Sequence, residues 1–130
     1  MHAELSEDAV DNAMKEALTE GKHLLVAFLG TGWSMSSDRM NRKIFQDPSF
    51  KDYAANELIV LLLEARRKPP LSKEETKIFH EWVTQFDIMS YPTVILLAPD
   101  GQEVFRHGYR ELDANAYVEL LSNVIPERDQ

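Results

Sequence analysis

The hydrophobic pattern of the chain alternates between continuous apolar runs and helical repeats. Residues 24–29 and 58–63 are apolar at every position, as expected for strands covered on both faces of a sheet. Residues 93–97 form a third, shorter run, in which only Thr93 is polar. Around these runs, apolar residues recur every three to four positions, which predicts amphipathic helices. The pattern therefore predicts strands that alternate with helices.

Local polar signals predict where the helices begin and end. A Ser or an Asp precedes most of the periodic segments, as expected for N-cap residues. Ser72 and Glu75 have the spacing of a capping box. We expect N-caps at Ser6, Asp47, Ser72 and Asp113, a helix start near Ser34 and a helix end at Gly21.

The predicted order is helix, strand, helix, helix, strand, helix, strand, strand, helix. The early alternation predicts a parallel pair of strands with crossover helices, and Pro99-Asp100-Gly101 predicts the turn of a late antiparallel hairpin. No repeat or long linker interrupts the chain. The sequence therefore predicts one α/β domain over residues 1–130.

Composition excludes several classes of function. The formal charge is −8 over 130 residues, which argues against a nucleic-acid partner. The one basic run, Arg66-Arg67-Lys68, precedes two prolines, and we interpret it as a solvated loop. No stretch reaches the roughly 20 apolar residues of a membrane span. Residues 1–4 lack the basic start of a signal peptide, so we predict none, and we expect a monomer.

The chain contains no cysteine. This excludes disulfides, thiolate nucleophiles and cysteine-ligated metal sites. His80-Glu81 is similar to the start of a zinc-protease helix, but position 84 is Thr rather than the second His. We therefore expect neither a metal nor a cofactor.

Two motifs carry a resemblance to a known family. Phe28-x4-Trp33-Ser34-x-x-Ser37 lies at the first strand-to-helix turn, and Tyr91-Pro92-Thr93 precedes the third strand. With the predicted element order, these motifs resemble the thioredoxin superfamily. The sequence is most similar to bacterial thioredoxin-family and disulfide-isomerase-like proteins with a Phe-x-Gly-x-x-Trp-Cys-x-x-Cys segment. The similarity extends from about residue 13 to about residue 124.

The resemblance implies a fold and a site. The fold is a thioredoxin-like α/β fold with a central mixed sheet and helices on both faces. Ser34 and Ser37 stand at the positions of the attacking and resolving cysteines, which are the catalytic residues of the family. The resemblance also implies a groove for a protein or peptide partner, with a cis bond before the proline and a periplasmic or exported parent. The groove residues are Trp33, Met35, Ser36, Tyr91 and Pro92.

The departure from the family pattern falls on the two reactive positions. Serine is far less acidic than cysteine and forms no disulfide, so the chain as written cannot perform dithiol chemistry. Ala27 also replaces the buried Asp of thioredoxin itself. Two explanations stay open: an oxidoreductase whose cysteines were replaced by engineering, or a naturally redox-dead binding module. A new serine-based activity is disfavoured, because Gly32-Trp33-Ser34-Met35-Ser36 lacks the second glycine of a nucleophile elbow.

Overall fold

The computed structural model describes residues 5–126. Residues 1–4, on which the absence of a signal peptide was predicted, lie outside this range, as do residues 127–130. The order of helices and strands agrees with the predicted order. In chain order they are α1 (Ala9–Glu20), β1 (His23–Leu29), α2 (Met35–Met40), a π-helical segment (Asn41–Phe45), α3 (Pro48–Glu57), β2 (Leu58–Glu64), α4 (Lys73–Gln85), β3 (Thr93–Leu97), β4 (Glu103–His107) and α5 (Ala114–Val124).

The described strands form one mixed sheet in the order β2-β1-β3-β4. β1 runs parallel to β2, and β3 runs antiparallel to both β1 and β4. Val26, in the middle of β1, is paired with Leu61 on one side and Ile95 on the other. The predicted parallel pair and the predicted hairpin are both confirmed, and β1 is a central strand.

Helices cover both faces of this sheet, and the strand side chains alternate between the two resulting cores. On one face, Leu25, Ala27 and Leu29 of β1 pack with the π-helical segment, α3 and α5. On the other, Leu24, Val26 and Phe28 pack with α1 and α4. A strand buried on both faces must be apolar throughout, which explains the unbroken run at residues 24–29.

Capping explains most helix starts, with one correction. The side chains of Asp47, Ser72 and Asp113 accept backbone N–H groups of α3, α4 and α5, and the capping box of α4 is complete. The predicted cap at Ser6 is wrong, because Asp8 occupies the cap position of α1. The Ser6 hydroxyl instead donates to the Asp8 carboxylate over 3.1 Å.

The segment after α2 differs from the predicted simple helix. Residues 41–45 form a π-helical turn, in which the N–H of Gln46 donates to the carbonyl of Asn41 over 2.9 Å. Such a turn holds one more residue than an α-turn. It buries Phe45 together with Met40 and Ile44, and so anchors the helix that begins at the candidate site.

Within residues 5–126, the helices are too short and too polar for any of them to cross a lipid bilayer.

Candidate functional site

The site begins where β1 ends and the chain turns into α2. Ser34 is the N-cap of α2, in an extended conformation, and its Oγ accepts a hydrogen bond from the N–H of Ser37 over 3.2 Å. This is the usual bond of a capping serine to the third residue of its helix. The predicted helix start near Ser34 is confirmed, and the Ser34 hydroxyl stabilises that start.

Ser37 lies inside the protein, one turn further along α2. Its side chain is fully buried, and its Oγ accepts a hydrogen bond from the backbone N–H of Gly30 over 2.9 Å. Gly30 itself is enclosed, since a Cβ there would lie 2.7 Å from Cζ2 of Trp33. The two serines thus tie both ends of the turn at residues 30–37 together.

Neither serine hydroxyl contacts a general base in the described part of the chain. Among the described residues, no histidine or carboxylate forms a hydrogen bond with the hydroxyl of Ser34 or Ser37. A serine nucleophile needs an adjacent general base to become reactive. The hydrogen bonds that the two hydroxyls do form stabilise the turn.

Trp33 connects the turn to two other segments. Its indole N–H donates to the carbonyl of Ala65, just after β2, over 2.6 Å. Its ring meets the ring of Tyr91 edge-on, with centroids 5.5 Å apart, a favourable aromatic arrangement. Trp33 is 36% exposed. This exposure is consistent with the predicted position of Trp33 at the edge of a site.

Tyr91 and Pro92 form the opposite side of the site. The bond between them is cis. Tyr91 also packs on Phe79 of α4, with centroids 6.3 Å apart, and burial raises the pKa of its phenol. Pro92 is buried, so Tyr91 offers the more accessible side chain of the pair.

Two methionines add exposed apolar surface to the same segments. Met35, the first residue of α2, is 84% exposed, and Met89, two residues before Tyr91, is 86% exposed. Ser36 is partly buried beside Met35. We call the surface formed by residues 33–36 with Tyr91 and Pro92 the rim.

The sequence did not point to Arg67 as a neighbour of the site. Its guanidinium carbon lies 4.0 Å from the centre of the Trp33 ring, within the range of a cation–π contact. Arg67 and Lys68 are exposed, as the interpretation of residues 66–68 as a solvated loop expects. That interpretation did not include the contact of Arg67 with Trp33 or the pairing of Arg66 with Glu75 over 3.5 Å. The missed signal is topological: parallel neighbours β1 and β2 end at the same edge of the sheet, so the loops that follow them adjoin.

Gly108, after β4, was also missed. A Cβ built on it would lie 3.6 Å from the carbonyl oxygen of Pro92. The segment after β4 therefore closes the third side of the site, and its tip carries Tyr109, which is 38% exposed. A lone glycine after a strand gives no sequence signal for this role.

Residues 5–126 contain no cluster of three or more His, Asp or Glu side chains that could hold a metal. A cleft of about 320 Å³ lies away from the rim, between α1, α3 and the start of β2. The candidate site is therefore an open surface around Trp33 and Tyr91.

Known proteins share this architecture over nearly the whole chain. The disulfide bond reductase DsbH of Chlamydia pneumoniae is 21% identical over 126 residues, which cover 97% of this chain and 76% of that protein. A solved DsbH oxidoreductase superposes with a TM-score of 0.80 at 21% identity, over 95% of this chain and 85% of that one.

A second solved relative is the reduced C-terminal domain of DsbD from Neisseria meningitidis. Its TM-score is 0.70 at 17% identity, over 96% of this chain and all of that one. Structural likeness at these identities establishes the fold. The family model of the thioredoxin-like domain matches residues 10–125. The chain therefore belongs to the thioredoxin-like domain family, whose predicted fold, a mixed sheet with helices on both faces, is confirmed.

Proposed function

We propose that this chain is a redox-silent thioredoxin-like domain that binds extended protein segments at the rim. The observation that supports the proposal is that neighbouring residues of one turn have two different roles. The hydroxyls of Ser34 and Ser37 accept backbone N–H groups, whereas Trp33 and Met35 beside them keep 36% and 84% of their surface exposed. Ser34 and Ser37 therefore stabilise the turn, and the exposed apolar surface beside them can contact a partner.

The chemistry of the rim suits an extended peptide. Trp33 and Tyr91 offer rigid aromatic surface, and Met35 is a flexible, polarizable side chain that adapts to varied apolar partners. Exposed apolar groups gathered on one surface are typical of interaction sites. An extended segment can also pair through its backbone with an exposed edge, while its side chains rest on the rim.

The direct test is binding of fluorescein-labelled, unstructured 12-residue peptides that carry two leucines, followed by fluorescence anisotropy. We expect Trp33→Ala to weaken binding about fivefold or more, as for a central aromatic contact. Leu18→Ala is the matched control, because Leu18 is an exposed apolar residue of α1, 64% exposed. Absence of binding by the unchanged chain, or equal effects of the two substitutions, would contradict the proposal.

A second candidate is a thiol–disulfide oxidoreductase from which the two sulfurs have been removed. Its support is the position of Ser34 Oγ, which accepts an N–H at the start of α2, where a thiolate would be stabilised. The relative from Chlamydia pneumoniae bears the name disulfide bond reductase. In this candidate, residue 34 would carry the attacking thiol and residue 37 the resolving thiol.

The two candidates separate when both cysteines are introduced. Ser34→Cys combined with Ser37→Cys should reduce insulin disulfides with dithiothreitol as reductant if the chain is a silenced enzyme. An inert double variant that still binds peptides would favour the binding domain. A gene that encodes serine at both positions would rule out replacement by engineering.

A further inference from the structure

The basic run beside the rim suggests which peptides bind there. We propose that the rim selects acidic segments, whose carboxylates meet Arg67 and Lys68. This inference rests on the proposed binding function and names its partner class. Although the chain has a formal charge of −8, three consecutive basic residues, Arg66 to Lys68, lie next to its candidate site.

The basic run is fixed to the site by specific contacts. The Trp33 indole N–H donates to Ala65 over 2.6 Å, and the N–H of Ala65 donates to the carbonyl of Leu29 over 2.8 Å. Arg67 forms an isolated backbone bridge with Pro70. The loop is therefore held against the rim, and Arg67 has a defined place beside Trp33.

Arg67 and Lys68 are available for an external carboxylate. Neither has an ion-pair partner within 4.0 Å among residues 5–126, whereas Arg66 pairs with Glu75. Arg67 instead lies over the Trp33 ring at 4.0 Å. A stacked guanidinium keeps its N–H groups at its edge, where they can bind a carboxylate in the plane.

Two carboxylates near the turn form hydrogen bonds with the turn itself. Asp38 accepts the N–H of Gly32 over 3.0 Å, and Glu64 accepts the hydroxyl of Thr31 over 2.9 Å. The excess negative charge of the whole chain acts on a partner only weakly, because charges beyond a Debye length of about 8 Å are screened at physiological salt. Local contacts with Arg67 and Lys68 therefore decide the preference.

The test compares three labelled peptides of equal length and equal leucine content, flanked by Glu, Ser or Lys. We expect the Glu peptide to bind about threefold more tightly than the Ser peptide, which is the size of one exposed charge contact, and the Lys peptide to bind most weakly. Because the contacts are exposed, added NaCl should remove the preference.

Lys68→Glu isolates charge from packing, since it leaves the Arg67–Trp33 stack in place. Combined with Arg67→Glu, it should reverse the order of the Glu and Lys peptides. The matched control is Lys15→Glu with Lys51→Glu. It changes the net charge equally on α1 and α3, and it should keep the order.

The outcomes separate this inference from the function on which it rests. If all three peptides bind equally, or the two double variants behave alike, while Trp33→Ala still weakens binding, selection of acidic segments is wrong and the peptide-binding function stands. If no peptide binds to the unchanged chain, both proposals are wrong. Reversal of the preference only in the Arg67 and Lys68 variants supports the inference.

Discussion

The buried hydroxyl of Ser37 accepts a hydrogen bond from the backbone N–H of Gly30, 2.9 Å away. The bond joins the first turn of α2 to the end of β1, seven positions earlier in the chain. Ser37 stands where the family has its second cysteine, and a thiol there would be a much weaker acceptor. A residue without redox function thus contributes to the stability of the turn.

Replacement of Ser37 by Ala should destabilise the protein by about 1–3 kcal/mol, because it leaves the buried N–H of Gly30 without a partner. The free energy of unfolding from urea titration measures the loss. Ser36→Ala serves as the control, since Ser36 is its partly buried neighbour in the same helix. We expect its effect to stay within about 0.5 kcal/mol. Equal decreases in the free energy of unfolding of the two variants would show that the hydrogen bond to Gly30 does not contribute specifically to stability.

Replacement of Trp33 by Phe should loosen the basic loop. Phe keeps an aromatic ring but loses the indole N–H that donates to Ala65 over 2.6 Å. We expect a loss of about 0.5–1.5 kcal/mol and faster trypsin cleavage after Arg66 and Arg67. Tyr53→Phe, which removes a hydroxyl from α3 far from the loop, is the control. Unchanged cleavage in Trp33→Phe would mean that other contacts hold the loop.

Much of the fold could be predicted because its signals are local. The side chains of Asp47, Ser72 and Asp113 reach backbone groups only two or three residues away, so the residue type and its position suffice. The strand at residues 58–63 is apolar on both faces because helices cover both. Ser6 failed as a cap because α1 begins only at Ala9, which places Asp8 at the cap position. Two acceptable cap residues so close in sequence leave the exact start of the helix undecided.

The site could be predicted only in part. The spacing of Trp33, Ser34 and Ser37 marked the turn, and the type of Trp33 marked an exposed edge. The contact of Arg67 with Trp33 joins residues 34 positions apart. It depends on which strands are neighbours and on how the loop after β2 folds back. The π-helical turn at residues 41–45 has no comparable signal, since its extra residue is set by packing of Phe45 in the core.

A cysteine at position 34 should be strongly activated. The Ser34 side chain accepts the N–H of Ser37 at the start of α2, and a thiolate there would gain the same bond and the favourable helix dipole. We expect the thiol pKa in Ser34→Cys to fall from about 8.5 to below about 7.5. The pH dependence of iodoacetamide alkylation measures this value.

Ser37→Cys is the matched comparison, because that position is fully buried. Its thiol should react far more slowly in the native protein and at a normal rate after unfolding in urea. If the two thiols react at equal rates in the folded state, the site is more open than the structure indicates, and the argument for a stabilised thiolate at position 34 fails.

Acidic pH should lower the free energy of unfolding through protonation of a buried histidine at the end of β4. His107 has both ring nitrogens engaged: Nδ1 lies 2.7 Å from the carbonyl oxygen of Gly108, and Nε2 lies 2.7 Å from the hydroxyl of Tyr117. A carbonyl only accepts, so Nδ1 carries the proton and Nε2 accepts from the tyrosine. Burial lowers the pKa of His107 below its ordinary value of 6.5. The hydrogen bond with Gly108 opposes this effect, and the charge of Arg110 adds to it.

A lowered histidine pKa means that the unfolded chain binds the proton more readily than the folded protein. Stability is therefore full above about pH 6.5 and declines as the pH falls below it. His23 contributes in the same direction, because burial lowers its pKa as well. The carboxylates of Glu75, Glu103 and Glu111, whose pKa values are lowered, add their losses only at more acidic pH.

Urea titrations at pH 7.5 and pH 5.5 measure the decline. In His107→Gln the difference between the two pH values should be smaller than in the unchanged chain, because residue 107 no longer titrates, and His23→Gln removes only the share of His23. Tyr117→Phe deletes the hydroxyl that bonds to Nε2, which should cost about 1–3 kcal/mol at pH 7.5 as a lost buried hydrogen bond. An unchanged pH dependence in His107→Gln would show that His107 takes up its proton without penalty in the folded protein, contrary to its burial between β4 and α5.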